Sequence, residues 1–273
     1  MTTPDDSAPE LWINGEIMPD RGAMIPAVRA GFFTGEGVFE TLVTYGGEPF
    51  ALGRHYERLS ASGEALGLDV PPLDELRNGI GSILAESRGR RRLRITILRD
   101  IGTLITTGSA PEWPPAADVV TVPWTRNERG ALAGIKSVSY AGNMRAREYA
   151  RARGGGEAVF GNTLGHLCEG ASSNVFLIEE GVLVTPPLES GCLPGVTRAL
   201  VIAEAKRLGI LVEERPSKLV ALEGAEEAFL TSTTREVQPV ARVDGRALGR
   251  VDGEITAALA AAYRELLPTE GPA

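Results

Sequence analysis

Lys136 stands in "GIKSVSYAGN", residues 134–143, in a chain that otherwise avoids lysine: of 28 Lys and Arg residues, 3 are lysines, which leaves 25 arginines. Lys206 lies on the charged face of a helical pattern, "TRALVIAEAKRLG", near the end where the helix dipole favours a cation. Lys218 follows Pro216 and Ser217 in an expected turn. Lys136 has neither setting. Burial disfavours an ammonium ion, so a lysine in apolar surroundings gives up its proton more readily. The resulting neutral amine can attack a carbonyl and form a Schiff base.

Four further segments carry groups that could serve such an amine. In "SGCLPGVTRALVIAEAKRLG" a helix starts at Gly195, Val196 and Thr197, where backbone N–H groups and the positive end of the helix dipole make an anion site. In "FLTSTTREV" the hydroxyls of Thr231, Ser232, Thr233 and Thr234 follow a strand, and such turns also hold phosphate. In "LCEGASSNVFLI" Glu169 precedes Gly170, so its backbone can sit close to a ligand. Arg58 lies in the helical "RHYERL". Singly these read as a helix cap, a polar turn, a rim carboxylate and a solvated arginine. Jointly they supply an amine, phosphate donors and a carboxylate for a ring nitrogen, the requirements of pyridoxal phosphate, whose protonated ring withdraws electrons from a substrate carbon.

The elements that must position these groups alternate between strands and helices. "LWINGEIMP" reads as strand, Asn14–Gly15 turn, strand, and "GVFETLVTYGGEPFAL" repeats that pattern around a Gly-Gly turn. Two helical periods follow, "GRHYERLSASGEALGL" and "LDELRNGIGSILAES", then an Arg run at 88–92 and the strand "RLRITILRD". The next region, "IGTLITTGS", reads as loop, as does "GSAPEWPPAAD"; "VVTVPW" is a short strand. Beyond the connector "TRNERGALAG" come extended "GIKSVSY", helical "AGNMRAREYARARGG", and a meander of "EAVFGN", "LGHLCEG" and "SNVFLIEEGVLVTPP". The helix "TRALVIAEAKRLG", strand "ILVEERP", helical turn "LVALEGA", strand "EEAFLTSTT", hairpin "VQPVARVDGRAL" and a helix from Gly253 to Leu267 complete the chain. This order predicts an α+β protein with a small N-terminal domain over 1–120, a connector over 121–133 and a larger C-terminal domain over 134–273.

Composition narrows the function classes. At 273 residues, 43% apolar and 23% charged, the chain can bury a sizeable core. A net charge of −8 argues against nucleic acid and anionic membranes as partners. No apolar run approaches the roughly 20 residues that span a bilayer. "MTTPDDSAPE" reads as a short disordered tail and not a signal peptide, so a cytoplasmic location is expected. Cys168, Cys192, His55 and His166 are too few for a metal cluster or disulfide framework.

The motifs "GEGVFET", "HYERL", "IKSVSY", "CEGASSNVF", "LPGVTR" and "TSTTREVQPV", in that order, resemble the fold-type IV pyridoxal-phosphate enzymes: branched-chain aminotransferases, D-amino-acid transaminases and aminodeoxychorismate lyases. The resemblance spans nearly the whole chain, from "WINGE" to "VDGR", and implies a homodimer with its active site at the domain junction. By it, Lys136 matches the cofactor-bearing lysine, and the 21-residue interval to Glu157 matches family spacing. Arg58, Val196, Thr197, Ser232 and Thr233 match cofactor-phosphate positions. Glu169 matches the ring-nitrogen partner, Tyr140 a ring-oxygen partner, and Ser173 a further cofactor contact. Arg94 and Arg99 are candidates for a substrate-carboxylate clamp, because Arg grips carboxylate with two prongs; Phe32 and Thr234 complete the expected substrate contacts. The loop Arg-x-His of D-amino-acid transaminases and the lyase's Arg-Gly-Tyr element are both absent, and of a branched-chain Tyr-x-Arg only Arg94 remains. "SSNVFLIEEGVL" and "TSTTREVQPV" are most similar to D-amino-acid transaminases, whereas "GVFETL" and "KSVSYAGNM" are most similar to lyases. The resemblance therefore implies an aminotransferase with D-amino acids favoured, then the lyase, then branched-chain L-amino-acid specificity. A catalytically silent binding protein on the same fold is opposed by the joint presence of Lys136, Glu169, Arg58 and Thr197.

Overall fold

The computed structural model describes residues 10–19, 24–25, 28–85 and 89–268, so the tail read from residues 1–10 lies, save Glu10, outside the described residues. The chain separates into two compact units. The first takes residues up to Pro111 together with Ile135–Ser139; the second takes Glu112–Gly134 and Tyr140–Leu267. Residues 112–120 thus belong with the second unit and not with an N-terminal domain ending at 120. The reason is pairing: the strand Ala117–Thr121 forms its ladders with strands of that unit.

The first unit is a six-stranded antiparallel sheet with helices on one face. Its strands are β1 (Glu10–Ile13), β2 (Glu16–Pro19), β3 (Gly37–Tyr45), β4 (Glu48–Pro49), β5 (Arg91–Leu98) and β6 (Gly102–Ser109), in spatial order β2-β1-β6-β5-β3-β4. Helix α1 (Ala30–Phe33) is a single turn, whereas α2 (Leu52–Ala65) and α3 (Leu73–Leu84) are full amphipathic helices. Both predicted turns form. Asn14 and Gly15 have φ of 47° and 103°, and Gly46 and Gly47 have 59° and 86°, the left-handed conformations that two-residue hairpins require. Alternate residues of β3, β5 and β6 face the helices, so Leu42, Leu93, Ile95 and Ile105 pack with Leu59, Leu76, Ile80 and Ile83.

"IGTLITTGS" is a correction to the expected loop. It forms β6, which pairs with β5 from Arg91–Ser109 through Leu98–Gly102. Its core-facing positions are Thr103, Ile105 and Thr107, two of them polar, so the alternation is weak in the sequence. Asp100 at φ 61° and Gly102 at φ 109° make the tight turn that closes this hairpin.

The second unit holds β7 (Ala117–Thr121), β8 (Glu157–Gly161), β9 (Leu167–Gly170), β10 (Asn174–Glu179), β11 (Val182–Thr185), β12 (Val212–Glu214), β13 (Glu227–Ser232), β14 (Glu236–Val243) and β15 (Arg246–Ala247). Their order is β12-β11-β10-β13-β14-β7-β8-β9, with β15 beside β14. Pairing is parallel at β11/β12, β14/β7 and β7/β8 and antiparallel elsewhere. The central strands are buried on both faces, which is why "NVFLIE" and "EAFLTS" read as runs and not as alternations. Helix α4 (Ala141–Arg151) packs on β8, while α5 (Val196–Arg207) and α7 (Glu254–Glu265) pack on each other and on β13; α6 (Ala221–Gly224) is one turn.

Leu42 is fully buried at the middle of β3. Leu42→Ala is expected to lower the unfolding free energy by about 2–5 kcal/mol, read as a reduced urea midpoint with an unchanged slope.

Candidate active site

In the first unit the candidate lysine, Lys136, is fixed by an edge. β4 covers β3 only near Thr44 and Tyr45, so the first half of β3 has an open side. Residues 135–139 fill it: Phe39 N–H donates to the Lys136 carbonyl at 2.9 Å, and Val138 N–H donates to the Gly37 carbonyl at 2.9 Å. Ile135 packs against the core, and Ser139 Oγ donates to the Gly35 carbonyl at 2.9 Å. Lys136 is half-buried, whereas Lys206 and Lys218 are exposed. Its Nζ lies 4.5 Å from the centre of the Phe39 ring, and the Arg94 guanidinium lies 3.8 Å from the same ring. Arg94 Nε donates to Thr96 Oγ1 at 3.1 Å. The amine and the guanidinium therefore share one face of the sheet, around one aromatic ring.

Arg58 reaches from α2 to Glu40, a carboxylate with no exposure on the helix-facing side of β3. Nε donates to Oε1 at 2.7 Å and a terminal nitrogen to Oε2 at 2.8 Å, a two-pronged pair, and His55 Nδ1 lies 2.7 Å from Oε2. Burial alone would raise the Glu40 pKa, but the Arg58 charge and hydrogen bonds, with the His55 bond, outweigh it and hold it at about 2. Burial pushes His55 down despite Glu40, so a neutral ring donates its Nδ1 proton to the carboxylate.

The other first-unit candidates divide. Arg99, a candidate for the substrate-carboxylate clamp, is engaged by groups of its own unit. Its Nε donates to Glu36 Oε2 at 2.6 Å, and a terminal nitrogen donates to the Leu66 carbonyl at 2.5 Å just past the end of α2, so this guanidinium ties a helix end to a turn. Phe32 is 56% exposed on α1, in edge contact with Phe33 at 6.0 Å.

In the second unit Glu169 lies on β9 opposite Phe160 of β8. Its Oε2 accepts the Leu193 N–H at 2.8 Å, and its Oε1 stands 3.2 Å from a terminal nitrogen of Arg126. Tyr140, at the start of α4, donates to the Ala171 carbonyl at 2.7 Å. Burial, then the Glu169 and Glu157 charges, push its phenol up to about 12, so it keeps its proton. Thr197 is buried in the first turn of α5, whose cap residue is Gly195 and carries no side-chain cap. A Cβ on Gly195 would meet Asn174 Oδ1 at 2.0 Å, so a larger residue there would displace the side chain that donates to the Leu193 carbonyl at 2.9 Å. Thr233, Thr234 and Arg235 form the β13–β14 turn, and Ser232, the last residue of β13, accepts the Arg235 N–H on its Oγ at 3.2 Å.

Ser173 spends its hydroxyl elsewhere than the resemblance implies. It donates to Glu157 Oε2 at 3.1 Å beside Ser172, which donates to the same oxygen at 2.6 Å. Arg235, buried against Trp113, lies 3.5 Å from that carboxylate. Glu40, His55, Arg126, Asn143 and Glu157 are thus structural members of the two residue sets whose roles sequence reasoning missed. The available signal was a carboxylate inside an otherwise apolar strand, as in "GVFETL" and "EAVFG".

Comparison with known proteins agrees with this geometry. Residues 37–243 match the amino-transferase class IV family. A branched-chain aminotransferase from Thermoproteus uzoniensis, solved with norvaline, superposes with a TM-score of 0.86 at 31% identity, covering 94% of this chain and 93% of that one. The Escherichia coli branched-chain aminotransferase superposes with a TM-score of 0.88 at 27% identity, over 97% and 96%. A D-alanine aminotransferase from Staphylococcus epidermidis is 30% identical over 86% of this chain and 89% of its own. The chain belongs to the class IV aminotransferases, pyridoxal-phosphate-dependent transaminases of fold type IV. The residues fit that cofactor: a half-buried amine, a glycine-cradled helix start for phosphate and a fixed carboxylate.

Glu40 generates a testable consequence. Because its folded value lies near 2 and the unfolded value near 4.5, the unfolded chain binds more protons in between. The stabilisation is present above the unfolded value and is lost as pH falls through that window. Glu40→Gln strands a buried cation and is expected to cost about 3–5 kcal/mol at neutral pH. It also flattens the loss of stability below pH 4.5, measured by urea unfolding at a series of pH values.

Proposed function

We propose that this enzyme transfers an amino group between an amino acid and an α-keto acid, with D-amino acids the favoured donors. One observation carries the transaminase reading: Lys136 Nζ and the Arg94 guanidinium flank one ring, Phe39, at 4.5 and 3.8 Å. An amino acid's carboxylate on Arg94 would bring its α-carbon toward the amine. Similarity to D-alanine aminotransferases supports the D preference.

Pyridoxal phosphate, when bound, supplies the electron sink for the substrate's α-carbon. In the proposed roles Lys136 would carry the cofactor, and its Nζ would take the substrate's α-proton and return a proton. Arg58, Ser232, Thr233 and the N–H groups of Val196 and Thr197 hold phosphate, the last two with the dipole of α5 behind them. Arg58 can do so as a rigid fork because Glu40 already fixes two of its nitrogens. Glu169 faces the ring nitrogen as an anion, and Tyr140 presents a protonated phenol to the ring oxygen. Thr234 lies beside the substrate.

A second reading, branched-chain L-amino acids, is favoured by the place of Arg94 on β5 and by the Thermoproteus uzoniensis likeness. The test supplies 2-oxoglutarate with D-alanine or L-leucine and follows pyruvate or 4-methyl-2-oxopentanoate. Faster pyruvate formation supports the D reading; faster turnover of L-leucine replaces it with the second. Pyruvate release from aminodeoxychorismate without amino transfer overturns both. Arg94→Ala is expected to raise KM for the amino donor at least about tenfold, the loss expected for one charged hydrogen-bonded contact, while cofactor absorbance is retained.

A further inference from the structure

Arg126 is an arginine that the proposed chemistry leaves without a task. It lies just beyond β7, held to the edge of β8 by its N–H donating to the Gly161 carbonyl at 2.8 Å. Its guanidinium sits 4.5 Å from the centre of the Phe160 ring, directly across the ladder from Glu169. One terminal nitrogen donates to Asn143 Oδ1 at 3.2 Å, and Asn143 in turn donates to the Ala171 carbonyl at 2.7 Å. Its Nε and other terminal nitrogen are buried with no hydrogen-bond partner, so the 3.2 Å approach to Glu169 Oε1 is a contact of charge. A buried guanidinium accepts that arrangement only where an anion compensates it.

We propose that Arg126 is a positioning residue that holds Glu169 against the Leu193 N–H and sets how much of its negative charge reaches the cofactor's ring nitrogen. This rests on the role assigned to Glu169 above. A carboxylate shared with a guanidinium is a weaker base toward a second partner than one left alone. Arg126 therefore moderates the electron sink, keeping the ring nitrogen's proton affinity below what Glu169 alone would give. Arg126 is a cation facing Glu169 at 3.2 Å, whereas three titratable neighbours of that carboxylate are neutral. Tyr140 from the start of α4, Cys168 beside it on β9 and Cys192 from the loop before α5 are all pushed upward, by burial first and by Glu169 second, and stay neutral. Glu157, the remaining nearby carboxylate, is engaged by Ser172, Ser173 and Arg235.

The experiment is a pH titration of the visible band of the cofactor-loaded wild type, Arg126→Gln and Arg126→Lys. Protonation adds positive charge to the bound cofactor, and Arg126 opposes it, so removing that charge raises the midpoint. Arg126→Gln is expected to shift it upward by about one pH unit, the order of shift that one nearby charge produces, and Arg126→Lys is expected to stay near wild type. An Arg126→Gln protein that keeps its band with an unmoved midpoint overturns the proposal while leaving the function intact. A wild type that binds no cofactor overturns the function itself. If Arg126→Gln cannot be loaded, a double-mutant cycle with Glu169→Gln on the cofactor-free proteins decides. Additive effects on urea unfolding overturn the proposal, and a coupling between the two positions supports it.

Discussion

A sheet edge with unpaired backbone groups must find a partner, and in the first unit that requirement fixes the main chain of Lys136. β4 covers only the far end of β3, so the N–H of Phe39 and the carbonyl of Gly37 would otherwise face outward. Residues 135–139, returning from the second unit, satisfy both and thereby hold Lys136 by its main chain at a defined place beside Phe39. The lysine needs no special side-chain anchor to be aimed, because its backbone is one register of a ladder. Any loss of that edge pairing would cost position before it cost stability.

The same strand divides its labour by alternation. Phe39 faces the amine and Arg94; its neighbour Glu40 faces the helices and receives Arg58 and His55. A buried carboxylate is tolerable only when it is fully paired, and this one is, by a two-pronged guanidinium and a neutral imidazole. The pairing orients Arg58 at the same time, so the charge that makes the core costly also fixes the place of this guanidinium on α2. In the second unit Glu169 is fixed by a backbone N–H and faced by Arg126.

Local rules written in the chain accounted for most of the elements. Asn14–Gly15 and the Gly46–Gly47 pair specify hairpin turns, and the periods of α2 and α3 specify their buried faces. β6 was illegible because Thr103 and Thr107 occupy core positions that the apolar pattern should mark. Lys136 stood out as a candidate from its segment, a rare residue in an apolar stretch, and Glu169 became one only through the resemblance. Glu40, Arg126 and Glu157 were not legible, since each acquires its meaning from a partner far away in sequence: Arg58, Glu169 and Arg235. The partners of Arg99 were illegible for the converse reason. A guanidinium can bind any carboxylate or carbonyl in reach, and its partners Glu36 and Leu66 are set by tertiary structure alone.

The central claim is that the edge of β3 presents one lysine, Lys136, to the cofactor. Reducing the cofactor-loaded protein with borohydride and mapping its peptides by mass spectrometry tests this directly, because the chain has 3 lysines to choose from. The structure predicts a phosphopyridoxyl label on Lys136 alone. A label on Lys206 or Lys218, both exposed, or no label on a protein that holds the cofactor, would contradict it.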